Sequence, residues 1–204
     1  MITPALAAHA LILASGSPRR IEILHLAGLD PVVHPSSYEE TVPFPMAPAD
    51  RAMFFAMGKA LDIRTASMDE DAIVVGADTI VVYRNRIMEK PRDKADGMQM
   101  LMELSGQTHQ VITGVCMADK SGRLTRCFYE TSDVTFCHYT LEEMDAYLDT
   151  DEAYDKAGGY GIQGTFQRYV TDVRGDIDNV IGFPLARFLE ESQIYETILK
   201  NGRL

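Results

Sequence analysis

A turn of small residues, Ser15-Gly16-Ser17, leads into a predicted helix whose first turn carries Arg19 and Arg20. Small residues let backbone N–H groups approach an anion, and the first turn of a helix has N–H donors without helical partners. The forked donors of two guanidinium groups match phosphate oxygens. The segment therefore indicates a phosphate site, the alternative being a solvated helix start with two incidental arginines.

A single carboxylate, Asp78, interrupts a nearly continuous run of β-forming residues from Ile73 to Val82. Burying a carboxylate inside such a run is costly unless a cation or a metal neutralises it. We therefore expect Asp78 at the end of a strand, at the lip of a cleft. There it could bind a divalent cation or orient an attacking water. The alternative is an aspartate that caps a tight turn between two strands.

Further residues could contact an anionic ligand or a base. Lys90 follows a predicted turn and can reach a phosphate as a point charge. Gln163 lies among closely spaced glycines, and its amide can both donate to and accept from a base edge. Lys59, on a predicted helix, and the pair Glu39-Glu40, in a proline-rich loop, complete the set. Lys59 and the acidic pair could equally be solvated surface charges.

The overall charge restricts the class of ligand. The 204 residues carry a formal net charge of −11, which disfavours a general nucleic-acid binder because phosphate backbones attract basic surfaces. An acidic protein with a locally basic segment instead suggests a small anionic ligand. Arg92 and Lys94 are expected to pair with nearby carboxylates rather than with that ligand.

Composition also indicates a cytoplasmic protein without a membrane span. No run approaches the roughly 18 apolar residues of a transmembrane helix, and the N-terminus lacks a basic region typical of a secretory signal. The three cysteines, Cys116, Cys127 and Cys137, are odd in number and form no CxxC pair. A disulfide scaffold or zinc ribbon is therefore not expected, and the cysteines are predicted to be small core residues.

Alternating apolar patterns predict strands and helices in turn, hence a mixed α/β sheet rather than a purely parallel one. The predicted strands are Leu11–Ala14, Pro31–Pro35, Ala72–Gly76, Ile80–Tyr83, His109–Ala118, Leu124–Phe136 and Phe166–Val173. The predicted helices are Pro18–Ala27, Asp50–Ile63, Asp93–Leu104, Thr140–Leu148 and Pro184–Leu199.

Local signals give the ends of several elements. Thr140 and Glu143 have the spacing of a capping box, and Asp50 and Asp93 are predicted N-caps. Turns are expected at Asn85 and at Ser121-Gly122. Residues 178–184 are expected to form a further turn before the last helix. The stretch from 35 to 48 contains four prolines and could act as a lid.

Taken together, these segments resemble the Maf family of nucleoside triphosphate pyrophosphatases. The resemblance extends from residue 11 to residue 189 and rests on the order of its motifs. Besides Glu39-Glu40 and Lys59, these are ASGSPRR (14–20), VVGADTIVV (74–82), EKPRD (89–93), LSGQTHQVITGV (104–115), DKAGGYGIQG (155–164) and NVIGFPL (179–185). It implies one Maf-like domain over residues 1–204, with a mixed elongated sheet flanked by helices and two lobes around a cleft. It also implies a homodimer and a divalent metal, Mg²⁺ or Mn²⁺.

The resemblance implies a role for each matched residue. Asp78 corresponds to the proton acceptor, and Glu40 to the loop carboxylate that with Asp78 would hold metal or water. The phosphate-facing positions correspond to Ser15, Arg19, Arg20, Lys59 and Lys90.

Three positions separate the branches of the family. Arg19, Thr79 and Gln163 resemble the branch that acts on dTTP and UTP. The resemblance implies a tryptophan and a loop glutamate in the branch that acts on 7-methyl-GTP, and both would suit a cationic base. This chain has no tryptophan, and its loop residue is Gln163. Residues 165–168 depart from the usual glycine-rich stretch, which affects the expected wall of the pocket.

The reaction implied is metal-assisted attack of water on the α-phosphorus, with release of pyrophosphate and without a covalent intermediate. Three alternatives remain at this point. The chain could be a non-catalytic nucleotide-binding regulator of cell division, a 7-methyl-GTP pyrophosphatase, or a nucleotidyltransferase. The intact Asp78 among cations argues against the regulator, because a carboxylate repels a triphosphate unless a metal intervenes. No motif for a second acceptor substrate supports the nucleotidyltransferase.

Overall fold

The structure is a computed structural model that describes Leu6 and residues 9–64, 72–122 and 124–201. Its strands are β1 (Leu11–Leu13), β2 (Val32–Val33), β3 (Ile73–Tyr83), β4 (Arg86–Met88), β5 (Thr108–Asp119), β6 (Thr125–Phe136) and β7 (Val170–Arg174). Its helices are α1 (Pro18–Leu26), α2 (Pro48–Ile63), α3 (Lys94–Leu104), α4 (Leu141–Leu148), α5 (Ile177–Ile181) and α6 (Leu185–Asn201). Short 3₁₀ turns cover Ala157–Gly159 and Thr165–Tyr169.

The strands form one seven-stranded sheet in the order β2-β1-β3-β5-β6-β7, with β4 paired to β3. Strand β1 runs parallel to both β2 and β3, and Leu13 pairs with Val33 on one side and Val75 on the other. Strand β4 is antiparallel to β3, and β7 is antiparallel to β6. The predicted mixed sheet flanked by helices is confirmed.

The chain folds as two compact units. Unit 1 comprises residues 1–78, 113–130 and 182–204, and unit 2 comprises residues 79–112 and 131–181. The boundary between them falls inside β3, after Asp78.

In unit 1, α2 lies directly on the sheet because two strand positions carry no side chain. A Cβ on Gly76 of β3 would meet the backbone oxygen of Ala56 and lie 2.8 Å from the backbone nitrogen of Ala60. A Cβ on Gly114 of β5 would lie 2.5 Å from the backbone oxygen of Ala52. The three alanines recur every four residues and are fully buried, so they form the face of α2 that packs on the sheet.

Unit 2 has a core of aromatic side chains. Phe136 of β6 lies 4.8 Å from Tyr160 and 5.2 Å from Phe166 between ring centroids, and Phe166 lies 4.7 Å from Tyr147 of α4. His109 of β5 joins the cluster, with its ring 4.8 Å from Phe136. Because Tyr160 belongs to the glycine-rich loop, this core anchors that loop through its one large ring.

Several predicted ends of elements are confirmed because they depend on local contacts. The Thr140 side chain accepts a hydrogen bond from Glu143 N, and the Glu143 carboxylate accepts one from Thr140 N, which completes the capping box. Asp93 caps α3 by accepting from Asp96 N at 2.8 Å. Asn85 has a positive φ of 61° in the turn between β3 and β4. Gly122 has a φ of 69° in the turn between β5 and β6.

Other predicted ends are wrong. Asp50 does not cap α2, which begins earlier at Pro48, a residue suited to the first helical position. Residues 166–169 form a 3₁₀ turn rather than a strand, because Phe166 and Tyr169 both turn into the aromatic core. The predicted turn at 178–184 overlaps the short helix α5, which begins at Ile177 and ends at Ile181.

The cysteines differ from the expectation of unpaired core residues. Cys116 of β5 and Cys127 of β6 form a disulfide across the two neighbouring strands, with Cα atoms 4.1 Å apart. Cys116 is fully buried as predicted, and Cys137 is a half-buried free thiol. The pairing depends on the alignment of two strands, which spacing along the chain does not give. Separately, none of the helices among the described residues combines the length and apolar character needed to cross a lipid bilayer.

Candidate active site

The contact of α2 with β3 brings a lysine onto a buried aspartate. Lys59 Nζ lies 2.6 Å from Asp78 Oδ1 and 2.6 Å from Glu40 Oε1. Asp78 is 7% exposed and Lys59 projects from the helix turn that follows Ala56. Glu40 comes from the proline-rich loop before α2, and its side chain is about half exposed. Two carboxylates from separate segments therefore share one ammonium group.

Asp78 does not lie at the end of a strand, as the sequence led us to expect. Strand β3 continues through it without interruption from Ile73 to Tyr83. The carboxylate is tolerated in the middle of this strand because Lys59 neutralises it, which satisfies the requirement that a buried charge be paired.

The surroundings of Asp78 act on its protonation in opposite directions. Burial raises the pKa of the Asp78 carboxyl above its usual value, and the negative charge of Glu40 raises it further. Lys59 and Arg20 oppose that shift through their positive charges. A carboxylate with a raised pKa is a stronger base than an exposed one, which suits a group that accepts a proton from water.

The predicted anion site at the start of α1 is built around Ser15 and Arg20. The Arg20 side chain donates from one terminal nitrogen to Ser15 Oγ at 2.9 Å and from Nε to the backbone oxygen of Gly182 at 2.9 Å. Ser17 N also donates to Ser15 Oγ, at 3.3 Å. With two donors already directed at its oxygen, the Ser15 hydroxyl can direct its own proton to an acceptor such as a phosphate oxygen.

The charges around Arg20 belong to the same cluster. Burial lowers the pKa of the Arg20 guanidinium, and the nearby positive charge of Arg19 acts in the same direction. Asp78 and Glu40 raise it, and the group stays protonated at any physiological pH. Within unit 1, the structure thus brings together Ser15, Arg19, Arg20, Glu40, Lys59 and Asp78.

The other three predicted residues lie in unit 2. Thr79 directly follows Asp78 on β3 and is half-buried, whereas Lys90 and Gln163 are exposed. The segment of Lys90 and the glycine-rich loop are joined, because Gly158 N donates to the backbone oxygen of Glu89 at 3.0 Å. A Cβ on Gly159 would lie 3.0 Å from Pro91 Cγ, so this close packing favours glycine.

The expectation for Arg92 and Lys94 is confirmed. Arg92 Nε donates to Asp96 Oδ2 at 3.0 Å, four residues along the chain. Lys94 Nζ lies 2.7 Å from Asp145 Oδ1 and 2.6 Å from Asp149 Oδ1, which links α3 to α4. Both cations belong to surface ion pairs.

A divalent metal would have two carboxylates available in unit 1. Across the described residues, no three His, Cys, Asp or Glu side chains cluster in a way that could hold a metal ion. Asp78 and Glu40 nevertheless share a cation already, the Lys59 ammonium. Two carboxylates suit Mg²⁺, which binds proteins through one or two carboxylates and completes its shell with water and substrate phosphates. The residues present therefore fit the metal.

The sequence did not predict two contributions to the site. The backbone oxygen of Gly182 orients Arg20, and the only sequence signal for it is the NVIGFPL motif, whose residues predict a turn and no contact with an arginine. Gly76 and Gly114 set the approach of α2, and two glycines inside β-forming runs are a signal of close backbone contact that could have been used.

Comparisons with known proteins agree with the motif pattern. A family model described as Maf-like protein matches residues 10–193. The chain is 46% identical over 186 residues to a protein of Bacillus cytotoxicus named dTTP/UTP pyrophosphatase, covering 91% of this chain and 95% of that one. Proteins of the same name from Bacillus anthracis and Bacillus cereus are 46% identical over 181 residues, covering 89% of this chain and 93% of theirs.

Proposed function

Since the chain belongs to the family of Maf-like proteins, we propose that it is a pyrophosphatase that hydrolyses dTTP and UTP to the monophosphate and pyrophosphate. Relatives that match nearly the whole chain carry that name. The observation that carries the proposal is the buried Asp78 carboxylate. It contacts the Lys59 ammonium, which Glu40 also contacts, and the positive charge of Arg20 acts on it.

In this proposal, the cations of unit 1 bind the triphosphate. Arg20 is fixed by Ser15 and the backbone of Gly182, so its guanidinium is already ordered before a ligand arrives. Preorganised donors aimed at developing negative charge lower the barrier without a cost of reorganisation during the reaction. Arg19 and the Ser15 hydroxyl add donors beside it, and Lys90 contributes a further charge to the same role.

Asp78 acts as the base that accepts a proton from the attacking water. Its raised pKa favours this role, because a general base works best when its pKa approaches the working pH. Lys59 holds the carboxylate in a fixed orientation and carries positive charge that a bound triphosphate would also attract. Glu40 supplies a second carboxylate to the same ammonium.

A divalent metal is part of the proposal, with Asp78 and Glu40 as its protein ligands. When bound, the metal would supply Lewis-acid neutralisation of phosphate charge and a water of lowered pKa. Mg²⁺ and Mn²⁺ both suit oxygen ligands.

Gln163 and Thr79 are proposed to select the base. An amide presents a donor to a pyrimidine carbonyl and an acceptor to the ring N–H, which uracil and thymine both offer. Gln163 is exposed in the loop that the aromatic core anchors through Tyr160, so its amide is accessible to a ligand.

A cytoplasmic location, a single functional domain and a homodimer complete the proposal. They rest on composition and on the family resemblance. Size-exclusion chromatography with light scattering tests the dimer directly.

The decisive experiment measures pyrophosphate release from the eight standard ribo- and deoxyribonucleoside triphosphates, from 7-methyl-GTP and from modified pyrimidine nucleotides. Each is assayed with magnesium, manganese and cobalt, and after chelation. We expect dTTP and UTP to give the highest kcat/KM. A protein that binds nucleotides without releasing pyrophosphate would contradict the activity. A preference for 7-methyl-GTP would contradict only the choice of base.

A further inference from the structure

The loop that delivers Glu40 is fixed to α2 by its preceding residues. Asp62, on the last turn of α2, accepts three hydrogen bonds through Oδ2 from two consecutive loop residues. Ser36 Oγ donates at 2.7 Å, Ser37 N at 2.8 Å and Ser37 Oγ at 3.2 Å. Tyr38 N then donates to Ser36 Oγ at 3.0 Å, which extends the network by one residue.

The next loop residue packs on the same helix one turn earlier. A Cβ on Gly58 would lie 2.6 Å from Tyr38 Cε1, so the tyrosine ring rests directly on the backbone of α2. The ring is also 6.4 Å from Phe55 between centroids. Gly58 is otherwise unfavourable in the middle of a helix, since glycine lowers helix stability relative to alanine.

The third contact joins the acidic side chain of the loop to the candidate active site. Two residues after Tyr38, the carboxylate of Glu40 reaches Lys59 Nζ at 2.6 Å. The same helix therefore holds the loop at Asp62 and Gly58 and receives its acid at Lys59. Loops tend to be mobile, and residues 34–47, between β2 and α2, contain no helix or strand.

We propose that Asp62 is a positioning residue, which acts through Ser36 and Ser37 to hold the 36–40 segment against α2 so that Glu40 reaches Lys59 and Asp78. The catalytic part of this inference rests on the proposed function. The hydrogen bonds also lower the pKa of the Asp62 carboxyl, so the anchor stays ionised at neutral pH.

The first measurement is hydrogen exchange of nucleotide-free protein over residues 36–44. Asp62→Ala removes the acceptor of the Ser37 amide and of the Ser36 hydroxyl that holds the Tyr38 amide, so exchange at both amides should accelerate. Asp62→Asn keeps an acceptor oxygen and should retain most of the protection. Unchanged exchange in Asp62→Ala would overturn the anchor, whatever the activity of the protein.

The second measurement is a kinetic cycle with Glu40. Asp62→Ala should lower kcat/KM by about 10-fold or more, a typical effect of removing a partner that orients a site residue. In a Glu40→Gln background the same change should have almost no further effect, because the anchor acts through Glu40. A full additional loss in that background would contradict the positioning role.

Asp119 provides a matched control, because it anchors a different loop in the same way. It accepts hydrogen bonds from Ser121 Oγ at 2.6 Å and from Leu124 N at 3.1 Å in the turn between β5 and β6. Asp119→Ala should leave kcat/KM near the wild-type value.

Gly58→Ala tests the same segment without touching Asp62. It should keep or raise the melting temperature, because alanine favours a helix, while kcat/KM falls as the Tyr38 ring is displaced. In a Tyr38→Ala background the substitution should no longer affect kcat/KM. If the wild-type protein releases no pyrophosphate from any nucleotide, the proposed function fails, and the exchange measurement still decides the anchor.

Discussion

Lys59 Nζ lies 2.6 Å from Asp78 Oδ1, and both side chains are largely buried. A helix supplies the cation and a strand supplies the anion, so their contact depends on how closely α2 approaches β3. Because Glu40 also contacts this ammonium, at 2.6 Å, the ammonium occupies the position that a cation shared by two carboxylates would take. Under the proposed function, the protonation of Asp78, the binding of a metal and the activity of the site would therefore depend on one another.

The first prediction concerns Asp78. Asp78→Asn should lower kcat by on the order of 10²-fold or more, as expected when a positioned acid–base group is removed. The melting temperature should change little, because burial disfavours the ionised carboxylate in the folded state and the neutral amide avoids that cost. Steady-state kinetics and thermal unfolding test this directly. Asp133→Asn, at a half-buried position of β6, is the control, and near-normal turnover in folded Asp78→Asn would refute the role.

The second prediction concerns the competition between Lys59 and a metal. Lys59→Met removes the ammonium and leaves Asp78 and Glu40 for a divalent cation. A unit charge within a few ångströms shifts binding of a proton by about 1–3 pKa units, so Mn²⁺ affinity should rise by at least about 10-fold. Isothermal titration of nucleotide-free protein measures it. Arg92→Met, which removes a cation from a surface pair, should have no such effect. Weaker Mn²⁺ binding by Lys59→Met would show that the carboxylates do not form the metal site.

The third prediction concerns base selection. Gln163→Glu should lower kcat/KM for dTTP and UTP by a factor that corresponds to about 1–3 kcal/mol, because an acceptor would face a pyrimidine carbonyl. Gln167→Glu adds the same charge four residues later, at another exposed position, and controls for general repulsion of the nucleotide. Equal losses in the two variants would exclude a specific contact of Gln163 with the base.

The fourth prediction concerns stability in acid. His109 is 2% exposed, its Nε2 lies 2.6 Å from the Tyr160 hydroxyl, and burial lowers its pKa from 6.5 to about 4. The unfolded chain therefore binds a proton near pH 6.5 that the folded chain does not bind until about pH 4. The contribution of His109 to the free energy of unfolding is therefore fully present above pH 6.5. It decreases by up to about 3 kcal/mol as the pH falls to 4.

Urea unfolding at several pH values measures this contribution. His109→Gln should flatten the dependence of unfolding free energy on pH between 6.5 and 4, relative to wild type. His138→Gln removes an exposed histidine from the same unit and should leave the slope unchanged. A His109→Gln protein with the wild-type slope would show that His109 is not buried in its neutral form.

How far the sequence predicted the structure depends on the range of the interactions involved. The cap of α4 by Thr140 was predicted because it depends on residues three apart. The place of Asp78 within a strand was not, because its partner Lys59 lies 19 residues earlier and meets it only through the packing of α2. The pairing of Cys116 with Cys127 likewise depends on the alignment of β5 with β6.

In the candidate site, too, the sequence predicted what depends on local residue types and not the contacts between distant segments. Residue types predicted an anion site at Arg19 and Arg20, and the structure adds the Ser15 and Gly182 contacts that orient Arg20. Residue type alone does not separate Glu40 from its neighbour Glu39, and only the family resemblance favoured Glu40. It is distinguished by the contact with Lys59, which requires the loop to be folded onto α2.

The missing side chains at Gly76 and Gly114 have a consequence for anyone who wishes to re-engineer this protein. They set the thickness of the layer between helix and sheet, and a single methyl group at either position would collide with the backbone of α2. A library aimed at new substrates can vary the loops of unit 2 while these two glycines stay fixed. Substituting them would shift the whole row of residues on α2, including Lys59, and erase the old activity before any new one could be selected.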